Sequence, residues 1–261
     1  MGEDGMSRFN HKDGRSIAIG DAAIYCEERG NASGAPIVFL HGGLGGIEDF
    51  NALVPTLGKT YRCIGIDSRG QGKSTLGSEA LTYARLQRDV EHICGVLRID
   101  APMFIGHSDG GIVALRIAAA GAVRPSKVVT LGAHWTLGPD DPTRGIYAGV
   151  TPEGWLGMFP EGVAAYRGLN PAPDFEKLVP AVRGMWLDAG GEGYPGESIR
   201  DIDCPVLVVR GDDDMLVSRA HAVELADRVP GAKLMNIPFA GHCAHQEQPE
   251  IVLWALRIFM D

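Results

Sequence analysis

Short apolar runs alternate with longer amphipathic stretches along most of the chain. The apolar runs have the length of β-strands, and several are rich in branched residues and bounded by Gly or Pro. Continuous apolar runs of this kind are typical of strands that are buried on both faces of a sheet. Seven strands are predicted, at Ala22 to Glu28, Ile37 to Leu40, Arg62 to Ile66, Met103 to Ile105, Val128 to Leu131, Val206 to Val209 and Lys233 to Ile237.

The stretch from Tyr83 to Leu97 has the clearest helical period. Leu86, Val90, Ile93 and Leu97 recur at steps of three and four residues, which places them on one face of a helix. Strands that alternate with helices predict a mostly parallel sheet covered by helices on both faces. The predicted fold class is therefore α/β.

The alternation is interrupted in one long region. Residues 134–199 contain no convincing strand pattern, and Pro, Gly and Trp are frequent there. Long irregular insertions in compact domains usually carry function. We predict that residues 1–133 and 200–261 form the α/β core and that residues 134–199 form an inserted cap over the end of the sheet.

Composition narrows the class of protein. The 261 residues are 45% hydrophobic and carry a formal net charge of −9 without any basic run, which disfavours a nucleic-acid or anionic-membrane partner. Neither a targeting segment nor an apolar run long enough for a membrane span is found, so a soluble, cytoplasmic protein is expected. The five cysteines are an odd number without C-x-x-C spacing, which predicts reduced thiols.

Two glycine-rich stretches resemble nucleotide-binding loops without completing either motif. RGQGKST, from Arg69 to Thr75, ends like a phosphate-binding loop, but Asp67 stands where that loop needs its first glycine. HGGLGG, from His41 to Gly46, is followed by Glu48 where the dinucleotide turn needs a third glycine. Nucleotide binding is therefore not predicted.

A G-x-S-x-G motif points to nucleophilic catalysis. Gly106 to Gly110 surround Ser108, with a predicted strand before the motif and a helix after it, as a nucleophile elbow requires. Small neighbours relieve the crowding of such a sharp turn, and the helix directs its first N–H groups toward the reacting centre. The alternative interpretation is a tight structural turn.

A serine nucleophile needs a base and an orienting acid, in the order Ser, Asp, His for this motif. The stretch GDDDM follows a buried strand and offers three candidate acids, Asp212, Asp213 and Asp214. The later loop offers two candidate bases, His242 and His245. His107 is expected to pack beside the serine, and His245 is expected near the surface or at the approach to the last helix.

With these motifs, the chain outside the predicted cap resembles the α/β-hydrolase family. The family pattern G-x-x-D, with an apolar residue three positions further on, matches Gly211, Asp214 and Val217. The resemblance therefore implies Asp214 as the acid, with Asp213 as the alternative. It also implies His242, which directly follows a glycine, as the base.

The resemblance extends to both glycine-rich stretches. FLHGGLGG is similar to the family's oxyanion loop, which implies that the N–H of Gly43, or of Leu44, acts together with the N–H of Asp109. The family's D-x-R-G-x-G-x-S pattern matches Asp67 through Ser74. RGQGKST is therefore interpreted as a structural turn that braces the catalytic loops.

The resemblance implies hydrolysis of a small carboxylic ester through an acyl-enzyme, without cofactor or metal. A serine nucleophile argues against haloalkane dehalogenases and epoxide hydrolases of similar fold, which use aspartate. The open alternatives are a carbon–carbon bond hydrolase, a perhydrolase and a ligand-binding receptor without catalysis. A small-molecule substrate is the predicted partner, and the oligomeric state is left open.

The motif GHSDGG and the short cap resemble the branch of the family that contains valacyclovir hydrolase and related small esterases. This resemblance implies that Asp109 binds an amino group of the substrate, and Leu44 and Trp135 are also predicted to contact the substrate. The alternative for Asp109 is a helix cap, because Asp is common at helix starts.

Overall fold

The computed structural model describes residues 8–261, which form one eight-stranded sheet with helices on both faces. The strand order is β1-β2-β4-β3-β5-β6-β7-β8; β2 is antiparallel to β1 and β4, and the other neighbouring pairs are parallel. The strands are β1 (Arg15–Ile19), β2 (Ala22–Gly30), β3 (Pro36–Leu40), β4 (Arg62–Ile66), β5 (Met103–His107), β6 (Lys127–Leu131), β7 (Val206–Gly211) and β8 (Lys233–Ile237).

The helices connect the parallel strands and also fill the long insertion. They are α1 (Val54–Leu57), α2 (Tyr83–Val96), α3 (Asp109–Ala120), α4 (Thr143–Ala148), α5 (Pro152–Met158), α6 (Pro160–Leu169), α7 (Phe175–Leu187), α8 (Arg219–Arg228), α9 (Ala244–Glu247) and α10 (Pro249–Met260). Two 3-10 segments, Ile47–Phe50 and Gly196–Asp201, complete the set. The predicted α/β class is confirmed, with the parallel strands flanked by helices as the alternation implied.

All seven predicted strands form, with ends that shift by two residues at most. The strand that the pattern missed is β1, a five-residue edge strand whose side chains are exposed or half-buried. Edge strands of this kind lack the buried apolar run that identifies a central strand. The predicted helix at Tyr83 begins where Thr82 caps it and ends one residue early, at Val96.

Successive residues of the central strands pack into separate cores on opposite faces of the sheet. Val38 and Leu40 of β3 belong to the core beneath α2 and α3, whereas Ile37 and Phe39 belong to the core beneath α10. Because side chains alternate along a strand, both faces must be apolar, which produces the continuous apolar runs.

The region of residues 134–199 contains α4 to α7 and no strand. Leu178, Val182 and Met185 of α7 are buried in the same apolar core as α2 and α3. The absence of a strand from these residues agrees with the sequence pattern, while the boundaries of a separate cap and its function remain predictions.

Two further sequence expectations concern cysteines and membrane spans. All five cysteines are free, and four of them are buried, which confirms the predicted thiols. Within residues 8–261, no helix combines the length and apolarity needed to cross a bilayer.

Candidate active site

Ser108 lies on a strained turn between β5 and α3. Its backbone has φ 49° and ψ −115°, in the left-handed half of conformational space that non-glycine residues rarely adopt. A Cβ atom at Gly106 would lie 2.3 Å from the carbonyl oxygen of Gly110, and one at Gly110 would lie 1.9 Å from that of Leu40. Glycine is therefore required on both sides of Ser108, and the turn has the strand–turn–helix form that the motif predicts.

The carboxyl ends of β7 and β8 bring an acid and a histidine together. Nδ1 of His242 lies 2.9 Å from Oδ2 of Asp214. The other oxygen of Asp214 accepts hydrogen bonds from the backbone N–H groups of Leu216, at 2.8 Å, and Val217, at 3.0 Å. Burial raises the pKa of Asp214, but the bond and charge of His242 and these two N–H groups outweigh burial and lower it below 3.8. The acid is thus ionised and oriented toward His242.

The two neighbouring acids do not compete for this position. Asp212 pairs with Arg219 and Arg210, and the side chain of Asp213 is exposed. Asp214 is therefore the acid that the fold places against His242, and the alternative assignment to Asp213 is not supported by the contacts.

Ser108 and His242 belong to the same edge of the sheet but make no hydrogen bond with each other within residues 8–261. The adjacent His107 connects the Ser108 turn to the loop that carries His242. Its Nε2 donates a hydrogen bond to the backbone carbonyl of His242 at 3.1 Å. The rings of His107 and His242 are 4.9 Å apart. Catalytic hydrogen bonds are often long in the absence of substrate and shorten when it binds.

His107 packs beside the serine as predicted. Of the two positions predicted for His245, the approach to the last helix is correct and the surface is wrong. His245 is fully buried on α9, with its ring 4.6 Å from that of His107 and 5.3 Å from that of Phe50. Burial and the nearby His242 lower the pKa of His245 to about 3, so it stays neutral near pH 7. The short α9 turns this side chain inward, which the local sequence pattern does not show.

The loop after β3 leaves one of its two candidate oxyanion donors free. The N–H of Leu44, which has φ 60°, donates to Oε1 of Gln71. The N–H of Gly43 has no acceptor among the described residues, and that of Asp109, as the first residue of α3, has no intrahelical acceptor. A Cβ atom at Gly43 would lie 2.5 Å from the ring of Trp186, so glycine is needed here as well.

The carboxylate of Asp109 is held by aromatic donors. It is 3% exposed and accepts hydrogen bonds from the hydroxyl of Tyr83, at 2.8 Å, and from Nε1 of Trp186, at 2.9 Å to each oxygen. Burial raises its pKa, and the Trp186 and Tyr83 bonds only partly offset this effect. The helix-cap alternative is wrong, because Ser108 occupies the cap position and the carboxylate points away from the helix start toward α2 and α7. Binding of an amino group by Asp109 stays a prediction.

Sequence reasoning did not identify Tyr83 as a partner of the site. Its ring lies 5.1 Å from that of Tyr194, and Trp186 lies 4.9 Å from Tyr147, so Asp109 borders an aromatic cluster. These residues come from α2, α4, α7 and the loop after α7. A buried carboxylate next to the serine needs donors, but their identity depends on how distant helices pack.

Trp135 was predicted to contact the substrate, but it packs against α8. Its ring lies 5.9 Å from that of His221, and the guanidinium of Arg228 lies 4.5 Å from its centre. Its backbone N–H donates to Nε2 of His221 at 3.0 Å. None of these contacts involves Ser108 or His242, so its role in binding remains a prediction without structural support.

The RGQGKST turn wraps around the carboxylate of Asp67. This carboxylate accepts hydrogen bonds from the N–H groups of Ile47, at 3.0 Å, and Lys73, at 2.8 Å. Gly72 has φ 52°, and a Cβ atom there would lie 2.2 Å from the carboxyl carbon of Asp67. The turn is thus built around a carboxylate of the chain itself, which agrees with a structural turn.

A side chain of the long insertion reaches this turn. Nδ2 of Asn170, between α6 and α7, donates to the carbonyls of Gly72, at 2.9 Å, and Ser74, at 2.8 Å. The turn therefore connects the insertion to the loop after β3.

Comparison with known proteins agrees with this architecture. The profile described as the alpha/beta hydrolase family matches residues 37–253. Esterase YbfF of Escherichia coli K12 is 25% identical over 87% of this chain and 93% of its own length. The 2-hydroxy-6-oxo-6-(2'-aminophenyl)hexa-2,4-dienoic acid hydrolase of Metapseudomonas resinovorans is 25% identical over 83% of this chain and 81% of its own.

Solved structures show the same fold. A hydrolase from Pseudomonas aeruginosa PA01 superposes with a TM-score of 0.77 at 23% identity, covering 96% of this chain and 99% of the other. The family profile spans most of the chain, including every parallel strand except the first residue of β3. The protein belongs to the alpha/beta hydrolase family.

Proposed function

We propose that the protein is a serine hydrolase that cleaves a small carboxylic ester through an acyl-enzyme. The observation that carries this proposal is the 2.9 Å pair of His242 and Asp214 at the sheet edge where the strained Ser108 turn lies. A serine on such a turn, a histidine and an orienting acid are the groups that acyl transfer requires. The similarity to an esterase over most of the chain supports the same chemistry.

In the first step, the Ser108 oxygen forms a bond to the ester carbonyl carbon while His242 accepts the hydroxyl proton. The ionised Asp214 holds the imidazole in the required tautomer and stabilises its positive charge. The N–H groups of Gly43 and Asp109 bind the negative oxygen of the tetrahedral intermediate, and one such donor typically contributes about 3 kcal/mol.

The intermediate collapses when the carbon–oxygen bond to the alcohol breaks and His242 gives its proton to the leaving oxygen. Water then attacks the acyl-enzyme, with His242 as its base. The carboxylic acid leaves, and Ser108 recovers its proton. The atoms balance as one ester and one water giving one acid and one alcohol.

The test measures p-nitrophenyl acetate hydrolysis by the wild type and by Ser108→Ala. We expect turnover by the wild type and a loss of at least a thousandfold in the variant. A fluorophosphonate probe should add its mass to the wild type at Ser108 and leave Ser108→Ala unlabelled. Equal turnover by both proteins would contradict the proposal. A folded wild type with neither turnover nor labelling would favour the ligand-binding alternative.

Carbon–carbon bond hydrolysis is a second candidate. It is favoured by the 25% identity to the dienoic acid hydrolase of Metapseudomonas resinovorans. Comparing kcat/KM for a 2-hydroxy-6-oxo-dienoic acid with that for a simple ester distinguishes the two activities. A higher value for the dienoic acid would establish the second candidate.

A further inference from the structure

Gln71 belongs to the RGQGKST turn, and only the oxygen of its side-chain amide has a hydrogen-bond partner among the described residues. Its Oε1 accepts the N–H of Leu44, which fixes the orientation of the amide because an N–H can only donate. Its Nε2 is buried and has no hydrogen-bond partner among the described residues. A buried donor without an acceptor carries its full desolvation penalty.

Gln71 borders a small cavity between the loop after β3 and helices α5 to α7. Apart from Gln71, its side chains are apolar or aromatic: Leu44, Trp155, Val163, Tyr166, Phe175 and Leu178. The hydroxyl of Tyr166 already accepts the backbone N–H of Asp174, at 3.1 Å. The cavity measures about 10 Å³, which is enough for one oxygen atom of a water or a ligand.

The structural role of Gln71 does not require the Nε2 group. The oxygen alone holds Leu44, and Asp67 and Asn170 already hold the turn through its backbone. A glutamine that served only as an acceptor would leave its amino group buried without a partner beside an apolar cavity. The second half of the amide is therefore available to a ligand.

The topology indicates which part of an ester lies beside this cavity. His242 and Asp214 follow β8 and β7, on one side of the Ser108 strand in the sheet. Leu44 and Gln71 follow β3 and β4, on the other side. Because His242 must protonate the leaving alcohol, the alcohol lies toward β8 and the acyl group lies toward the cavity.

We propose, on the basis of the proposed ester hydrolysis, that Nε2 of Gln71 donates a hydrogen bond to an oxygen carried on the acyl chain of the substrate. The preferred substrates are esters of oxo or hydroxy acids rather than of plain alkanoic acids. Gln71 thus selects the acyl group through a donor that the fold leaves unpaired.

The test compares the enzymatic hydrolysis of p-nitrophenyl hexanoate with that of its 4-oxo and 5-oxo analogues. The enzymatic rate for each ester is divided by the rate at which hydroxide hydrolyses the same ester. We expect kcat/KM for at least one oxo ester to exceed that for hexanoate about fivefold to tenfold, as one neutral hydrogen bond allows. In Gln71→Glu this ratio should fall to one or below, because Glu keeps an acceptor for Leu44 but loses the donor. Gln246→Glu, an exposed glutamine with the same change of charge, should keep the wild-type ratio.

A binding experiment separates this proposal from the proposed function. Calorimetry on Ser108→Ala should show that the matching oxo acid binds fivefold to tenfold more tightly than hexanoate, and that adding Gln71→Glu removes the difference. Equal rates for all esters in an active wild type would mean that water alone fills the cavity, and would overturn the role of Gln71. If no ester is hydrolysed, the proposed function fails, and equal dissociation constants for the two acids would then overturn this proposal as well.

Discussion

Oδ2 of Asp214 lies 2.9 Å from Nδ1 of His242, while the exposed Asp213, one residue earlier, has no such contact. Backbone N–H groups of Leu216 and Val217 hold the other oxygen of Asp214. The loop after β7 therefore presents one of its three consecutive acids to the histidine.

Asp214→Asn is expected to lower kcat for ester hydrolysis by about 10⁴-fold, because an amide stabilises the wrong tautomer of His242 and cannot stabilise its charge. The matched variant Asp213→Asn should stay within about twofold of the wild type, since its side chain is exposed. Steady-state kinetics on p-nitrophenyl acetate check both. A large loss in Asp213→Asn with a normal Asp214→Asn would transfer the role to Asp213.

The contacts of Asp109 predict no preference for amino esters. Its carboxylate is buried and already accepts bonds from Tyr83 and Trp186, so a substrate ammonium would have to displace a protein donor. We expect kcat/KM for an α-amino ester and for its deaminated analogue to agree within about threefold. Asp109→Asn should then lower both values together, because it weakens the hold on Trp186.

The opposite result has a clear signature. A charge-assisted hydrogen bond is typically worth about 1.5 to 3 kcal/mol, a preference of roughly ten- to a hundredfold. If the wild type shows that preference and Asp109→Asn loses it, Asp109 binds the amino group, as the resemblance to valacyclovir hydrolase implies.

The RGQGKST turn should not bind nucleotides, and it should not tolerate a side chain at Gly72. Gly72→Ala is expected to destabilise the fold by about 2 kcal/mol or more, since it forces a positive φ on a residue with a Cβ and crowds Asp67. Gly184→Ala, in the exposed interior of α7 with no atom near the added Cβ, should instead raise stability by about 0.5 to 1 kcal/mol. Urea denaturation measures both.

In thermal unfolding scans, adding ATP or GTP should leave the melting temperature of the wild type unchanged. A ligand at a hundred times its Kd would stabilise the fold by about 2.7 kcal/mol, which such a scan detects readily. A nucleotide-dependent rise in melting temperature would mean that the protein binds a nucleotide and that the turn can give up its hydrogen bonds to Asp67.

Stability should depend on pH through His11. Its two ring nitrogens lie 2.8 Å from Glu48 and 2.8 Å from Asp67, and Lys73 donates to its carbonyl. Burial lowers the pKa of His11, but the bonds and charges of Asp67 and Glu48 outweigh burial and raise it above 6.5. A raised pKa means that the contribution is fully present below pH 6.5 and is lost as pH rises through the folded-state value.

The difference in unfolding free energy between wild type and His11→Gln should accordingly be larger at pH 6 than at pH 9. His92→Gln, at an exposed position of α2, serves as the control and should show a constant difference. Urea titrations at several pH values measure both series. A His11 difference that is flat with pH would show that folding does not raise the pKa of the imidazole.

Features set by neighbouring residues were predictable from the sequence. The five inner parallel strands, β3 to β7, follow from apolar runs, because a parallel strand covered on both faces needs apolar side chains on both. The need for glycine at position 106 follows from the sharp turn, since a Cβ there would meet Gly110, whereas a Cβ at Gly110 would meet Leu40, which only the folded sheet brings close. The choice of Asp214 and His242 needed the family resemblance, and the structure then placed them in contact.

Features set by distant segments were decided only by the tertiary structure. Asp109 is held by Tyr83, 26 residues away, and by Trp186, 77 residues away, so no local pattern could replace its helix-cap interpretation. Gln71 engages the N–H of Leu44 across 27 residues, while that of Gly43 has no acceptor in the described part of the chain. Periodicity and turn chemistry depend on the local chain, whereas hydrogen-bond partners and burial depend on which segments the packed sheet and helices bring together.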